Sequence, residues 1–299
     1  MKHLISINDL SKKEILGIIS LAEKIKKQSK KYSNSLKGKV LLMLFAKPSL
    51  RTRLSFEVAM LQLGGHAIFY DMANSPLGKK ESIKDGSKVI SRFCDVVMAR
   101  LYDHKDMQEL AKYSSVPVIS GLDNFEHPCQ ILGDFLTIKE KFKRLNNLKI
   151  TYLGDANNNV THSLIYGCNK LGIKLIISCP NRKKFLPNKK LFRKNKDYVY
   201  IRNPKKAVQK SQILYTDTWQ SYHIPEKQIK SRIRKLRKYQ INKKLFSLNQ
   251  EALFMHCLPA QRGVEVTDEV IDSDRSIVYL QAYNRLPIEQ AILLRLLKG

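Results

Sequence analysis

Short apolar runs alternate with amphipathic helical stretches along almost all of this 299-residue chain, and that alternation limits the fold more than any single motif does. The first run, Val40–Phe45, is uninterrupted, as a strand covered on both faces is. A polar corner, 46–52, follows it, and then a helical pattern with Leu54, Val58, Leu61 and Leu63 as its apolar positions. The same reading places strands at 66–71, 96–101, 116–120, 150–154, 175–179, 198–201, 213–216, 253–257 and 277–280. Helices are expected at 82–94, 105–113, 128–142, 159–171, 226–239 and 286–297. Strand and helix in turn mean an α/β protein, doubly wound on parallel sheets, with its chemistry beyond the carboxyl ends of the strands. A lysine-rich hinge at 143–147 cuts the chain into domains 1–143 and 148–284, with a last helix, 285–299, returning to the first.

Composition narrows the class. Hydrophobic residues make up 43% and charged residues 27%, the balance of a soluble globular chain. No apolar run approaches the roughly 20 residues of a membrane helix. The first residues enter an amphipathic helix with a capping-box pattern, Ser11-x-x-Glu14, and no targeting layout, so a cytoplasmic location is expected. Five cysteines, odd in number and without CxxC spacing, argue against a disulfide framework or a zinc site. No metal or cofactor is expected.

The net charge of +28 invites a nucleic-acid reading. The basic residues are spread along the chain, however, and their clusters (Lys183-Lys184, Lys189-Lys190, Lys230 to Lys238) alternate with apolar residues, as solvated helix faces do. We expect no specific nucleic-acid partner, only polyanion binding at low salt.

Several segments carry chemistry. The corner puts Ser49, Arg51 and Thr52 at a helix mouth, where unpaired N–H groups and the dipole favour an anion. Arg53 instead pairs with Glu57, four residues on. In 123–134, Pro128 suits a first helical turn, with His127 as N-cap and Gln130 at N3. These two face one side, either to bond a carbonyl or amide or simply to cap the helix. Segment 154–163 is an asparagine-rich turn opening a helix, suited to a ligand or to a plain loop. Asp217 ends a strand, where it could hold an ammonium or cap a helix. Cys257 ends another, as core or as a polar group at a site.

In this order the segments resemble the aspartate/ornithine transcarbamylase family, on its ornithine branch, from the first helix to the last. The matching pieces are Ser49 to Arg53, Leu77 to Asp85, Arg100, His127 to Gln130, Thr216 to Ser221, His256 to Pro259 and Asn284-Arg285. Lys238 to Asn242 and Gly263 to Asp272 agree as flanking context, and His256 to Pro259 marks the ornithine branch. The resemblance implies that the first domain binds carbamoyl phosphate through Ser49, Leu50, Arg51, Thr52, Arg100, His127, Pro128, Cys129, Gln130 and Arg285. It implies that the second holds ornithine through Asn159, Asp217, Ser221, Tyr222, Cys257 and Leu258. Arg51, Thr52, His127, Cys257 and Arg285 would stand closest to the reaction, carbamoyl transfer to the side-chain amine giving citrulline and phosphate. A homotrimer or higher homo-oligomer is implied as well. Tyr222-His223 replaces the family's Met-Gly, which leaves two alternatives: another amine such as putrescine or a modified ornithine, or a weakened paralogue that binds without turnover.

Overall fold

The computed structural model describes all residues except Asn74, Lys190, Leu191, 221–223 and Gly299. Its backbone divides into two units, Met1–Glu140 with Tyr283–Gly299, and Lys141–Ala282.

The first unit is built on four parallel strands: β1 (Val40–Phe45), β2 (His66–Asp71), β3 (Val96–Arg100) and β4 (Val118–Leu122), in the order β2-β1-β3-β4. The second has five parallel strands: β5 (Lys149–Leu153), β6 (Lys174–Ser178), β7 (Val199–Tyr200), β8 (Ile213–Tyr215) and β9 (Leu253–Met255), in the order β7-β6-β5-β8-β9. Each sheet changes winding direction beside its first strand, between β1 and β3 and between β5 and β8. Crevices open beyond the carboxyl ends at such points. The doubly wound α/β architecture read from the alternation is the one observed.

Burial of the strand faces holds each unit together. Leu44, Val97, Ala99 and Val118 pack against Met72, Ile83, Met107 and Leu110. In the second unit Leu153, Leu214 and Phe254 pack against Val208, Ile241, Phe246 and Val270. Each such large side chain contributes about 1.5–3 kcal/mol by leaving water. Helix Lys12–Lys27 opens on the expected capping box, with Ser11 Oγ accepting from Glu14 N–H and Glu14 accepting from Ser11 N–H. Helix Arg285–Lys298 lies against both Lys12–Lys27 and Leu50–Gln62, within the first unit.

Several expectations are corrected. Segment 277–280 is not a strand: Val278–Tyr283 is a helix, and Ser276 alone bridges to β9. A four-residue apolar run fits either state. Here Val278 and Gln281, one helical turn apart, are both buried, and the Gln281 amide accepts from His256 N–H while donating to Tyr215 Oη. The apolar stripe of helix Leu50–Gln62 also differs. Its buried face is Thr52, Phe56, Ala59 and Met60, followed by Leu63, whereas Leu54 and Leu61 are exposed. Strand 116–120 moves to β4, because Val116 N–H is held in a turn by Ser114 Oγ. Strand 253–257 stops at Met255, where His256 N–H leaves the ladder for Gln281. Helix 82–94 closes early, as Ile83–Ile90, and 226–239 ends as a 3-10 turn over Arg237–Tyr239.

Candidate active site

In the first unit the chain leaves β1 at Phe45 and enters helix Leu50–Gln62 through Ser49, whose Oγ accepts from Thr52 N–H at 3.3 Å. Arg53 turns away as expected, paired with Glu57 at 2.9 Å and stacked 3.8 Å over Phe69. Arg100 ends β3, where the register against β4 slips between Ala99 and Arg100. Such a slip re-aims a side chain at a sheet end. His127 stands just before helix Pro128–Phe142, and Gln130 lies in its first turn. Gln130 does not complete a capping box. Its Nε2 donates to Asp134 Oδ1 at 2.8 Å, and its Oε1 accepts from Arg285 Nη1 at 3.0 Å.

Arg285 is the hub. Its Nε and Nη2 donate to Glu289 Oε1 at 2.9 and 2.5 Å, and Nη2 lies 3.5 Å from Thr52 Oγ1. Burial opposes the guanidinium charge, and the Glu289 carboxylate more than offsets it, leaving the Arg285 pKa raised. This charge-assisted pair fixes the arginine's direction, so helix Arg285–Lys298 delivers a cation to the mouth of helix Leu50–Gln62.

The electrostatics around His127 are one-sided. Burial holds its pKa well below the usual histidine range, and Arg285, Arg100, Lys47 and Arg51 push the same way. At neutral pH the imidazole is therefore uncharged among four cations. Lys47 was not singled out from the sequence, although it lies inside the corner. It is buried, sits 4.9 Å over the Tyr102 ring, and is pushed down to about 8 by burial and then by Arg100. Leu50 is 68% exposed, so it can serve the corner only through its backbone. Cys129 is buried, its Sγ donating to the Ser120 carbonyl at 3.4 Å, and Pro128 has no N–H to offer.

In the second unit β8 and β9 end beside each other, and Cys257 Sγ donates to Asp217 Oδ1 at 3.1 Å. The loop carrying Asp217 is tied down by Arg232, which pairs with Asp155 and donates from Nε to the Trp219 carbonyl at 3.1 Å. Trp219 is fully buried against Gly154, where φ is +113° and a Cβ would lie 2.4 Å from Trp219 Nε1. Only glycine fits there. Asn158 caps helix Asn159–Leu171, accepting from Thr161 N–H at 2.8 Å and donating to Tyr152 Oη and the Asp155 carbonyl. Asn159 is half-buried in the first turn. Ser221 and Tyr222, with His223, lie outside the described residues.

Leu258 adopts a left-handed backbone, φ 58°, uncommon for leucine, and its N–H donates to His256 Nδ1 at 2.9 Å. Behind it His256 Nε2 faces Glu265 Oε1 at 3.3 Å, both groups fully buried. Sequence reasoning missed Glu265, which is eight residues downstream of Cys257 and carries no spacing signal. Asp217, His256 and Cys257 each offer one ligand atom within 4.8 Å of one another, a donor set that zinc could use. His256 Nδ1 is already committed to Leu258.

Comparison with known proteins decides the family. Residues 2–140 match the carbamoyl-phosphate-binding domain of the aspartate/ornithine carbamoyltransferases, and residues 146–296 match their aspartate/ornithine-binding domain. The chain belongs to the aspartate/ornithine carbamoyltransferase family. The ornithine carbamoyltransferase of Archaeoglobus fulgidus is 42% identical over 304 residues, covering 99% of this chain and 98% of that protein. The anabolic ornithine carbamoyltransferase of Pyrococcus furiosus is 41% identical over 309 residues, covering 100% and 97%. A solved structure of ornithine carbamoyltransferase from Pyrococcus furiosus gives a TM-score of 0.93 at 41% identity, covering 100% of this chain and 97% of that one. The ornithine carbamoyltransferase structure from Thermus thermophilus gives 0.91 at 38% identity, covering 100% and 99%. Within this carbamoyltransferase fold the residues named from sequence fall into two groups. Ser49 to Thr52, Arg100, His127 to Gln130 and Arg285 belong to the first unit, and Asn159, Asp217, Cys257 and Leu258 to the second.

Proposed function

We propose that the chain transfers the carbamoyl group of carbamoyl phosphate to the side-chain amine of ornithine, releasing citrulline and phosphate, on the route to arginine. One observation carries the donor half: Lys47, Arg51, Arg100 and Arg285 all act on a single neutral, buried imidazole. Four cations around a helix mouth suit a small phosphorylated donor better than any neutral ligand.

The chemistry needs no enzyme nucleophile, because the donor is already an activated acyl group. The amine nitrogen attacks the carbonyl carbon, the C–O bond to phosphate breaks, and the amine loses a proton. Arg51, Arg100 and Lys47 cradle the leaving phosphate. Thr52, Arg285 and the uncharged His127, as hydrogen-bond donors, meet the carbonyl oxygen as it becomes an oxyanion. An alkyl ammonium titrates near 10.4, so freeing the amine at pH 7 costs about 4–5 kcal/mol. Loss of water, next to the cations that hold the phosphate, lowers that cost. Asp217 holds the α-ammonium of the acceptor and Cys257 supports it as a polar contact, its thiol donating to the same carboxylate.

We further propose a homo-oligomer, trimeric by family resemblance, in the cytoplasm. The edge strand β2 exposes Ile68 and Tyr70, and the neighbouring helix exposes Leu50, Leu54 and Leu61. Such an apolar edge invites a second copy of the chain. None of the five cysteines is in a disulfide, as suits a reducing compartment.

A citrulline assay on the purified protein tests the reading. Product should form from carbamoyl phosphate and ornithine, and not when ornithine is left out. Turnover with putrescine in place of ornithine would move the acceptor. A thermal shift with carbamoyl phosphate but no product from any amine would leave a binding protein.

A further inference from the structure

Segment Lys238 to Asn242, which matches the family only as flanking context, forms one wall of a cleft of about 610 Å³ that lies wholly within the second unit. Clefts of a few hundred to about 1,000 Å³ are the size that takes small ligands. Five cations line it: Arg202, Lys205, Arg237, Lys238 and Lys244. No carboxylate does. Among the described residues none of these five has an acidic side chain at ion-pair distance, although Lys26, Lys39, Lys139, Arg232, Arg262 and Arg285 all do.

The cleft is built rather than a chance gathering of surface lysines. Gln240, buried, donates from Nε2 to the carbonyls of Gly263 and Val264 at 2.8 and 2.9 Å, and Arg237 Nη1 donates to the same Gly263 carbonyl at 2.7 Å. These bonds set the guanidinium against a fixed wall. Pro204, Leu245 and the half-exposed Leu248 supply apolar lining among the cations. Like charges held together repel one another, and an anion removes that repulsion. Arginine forks suit phosphate oxygens, and an apolar surface suits the flat face of a base.

We propose that this cleft binds a nucleoside polyphosphate, its phosphates on the five cations and its base on the Pro204–Leu245–Leu248 surface. The ligand is neither the donor nor the acceptor of carbamoyl transfer, and the cleft shares no residue with either half-site.

The test is calorimetric titration of ATP into the full chain at about 150 mM salt, where long-range attraction is screened beyond about 8 Å. Changing Lys205→Ala and Lys244→Ala together should weaken ATP binding roughly tenfold or more, as loss of two phosphate contacts does. A pair with the same loss of charge, Lys30→Ala with Lys31→Ala, which does not line the cleft, should change it by less than about twofold, since unspecific attraction is screened at this salt. Inorganic triphosphate should bind more weakly than ATP, because it has no base for the apolar surface. The proposal is overturned if ATP gives no binding, if the Lys205/Lys244 pair binds it as the parent does, or if Arg51→Ala abolishes binding, which would place ATP in the donor cradle. It is overturned equally if a single-stranded RNA displaces ATP and depends on the same two lysines, which would make the cleft a nucleic-acid surface.

Discussion

His256 and Glu265 face each other at 3.3 Å with no solvent access to either, directly behind the loop that presents Cys257 and Leu258. Because His256 Nδ1 accepts from Leu258 N–H, the ring proton sits on Nε2, which lies 3.3 Å from the carboxylate without a hydrogen bond to it. Glu265 Oε1 accepts from Gln261 N–H at 2.6 Å. Glu265 thus holds the Gln261 end of the 257–261 loop directly and stands at ion-pair distance from the imidazole behind its Cys257 end. Glu265→Ala leaves the Gln261 backbone N–H without its acceptor, at about 1–3 kcal/mol. Urea denaturation should show that loss, and the acceptor KM should rise. Glu265→Gln keeps an oxygen in place and should recover much of both.

Arg51 stands at the helix mouth and acts electrostatically on His127 together with three other cations. Arg51→Ala should lower carbamoyl transfer by roughly 10²–10³, the range for removing a preorganised charge from an oxyanion or phosphate site. Near-parent rates in a steady-state assay would remove Arg51 from the donor site.

Cys257 donates to Asp217 at 3.1 Å, a bond that a serine hydroxyl can also make. Cys257→Ser should keep measurable turnover and mainly raise the acceptor KM, by about tenfold or less, since the hydroxyl remakes the bond to the carboxylate. Mass spectrometry of a reaction stopped by acid should find no carbamoyl group on the parent's cysteine. Finding one would make Cys257 a covalent catalyst.

Lys47 supplies a pH dependence whose sign follows from its burial. Its pKa is pushed from the ordinary 10.5 down to about 8, so its charge is lost as pH rises through about 8. The KM for carbamoyl phosphate should therefore climb between pH 7 and pH 9. Lys47→Met should raise KM at pH 7 and flatten that climb. Stability moves in the opposite sense. Between about 8 and 10.5 the unfolded chain binds the proton and the folded chain does not, so this residue makes the fold more stable as pH rises across that window. Denaturation midpoints of the parent and Lys47→Met, compared across it, measure the effect.

What the sequence disclosed was local. Ser11-x-x-Glu14, the Val40–Phe45 strand and the corner leading to Ser49 each declare themselves within a few residues, because caps, strands and helix mouths are short-range devices. The supports behind the site are long-range. Arg285 reaches Gln130 across 155 positions, and Lys26 reaches Asn284 across 258, and no periodicity encodes such pairs. Leu54 and Leu61 misled because apolar spacing marks a face to be covered without saying by what. In this chain they are left exposed, beside the exposed strand β2. The 277–280 run misled for a different reason: its four apolar residues are too few to separate two periodicities, and buried Gln281 settles the outcome by bonding His256 and Tyr215.

The packing of Arg285–Lys298 against Lys12–Lys27 and Leu50–Gln62 bears on synthesis as much as on stability. A chain emerging from the ribosome can lay down β1 to β4 and the helix mouth early, but Arg285 is translated only after the entire second unit. Until then the cradle lacks the guanidinium that braces Gln130 and Thr52. A nascent chain is thereby kept from assembling the whole of the proposed donor pocket before it also carries the second unit.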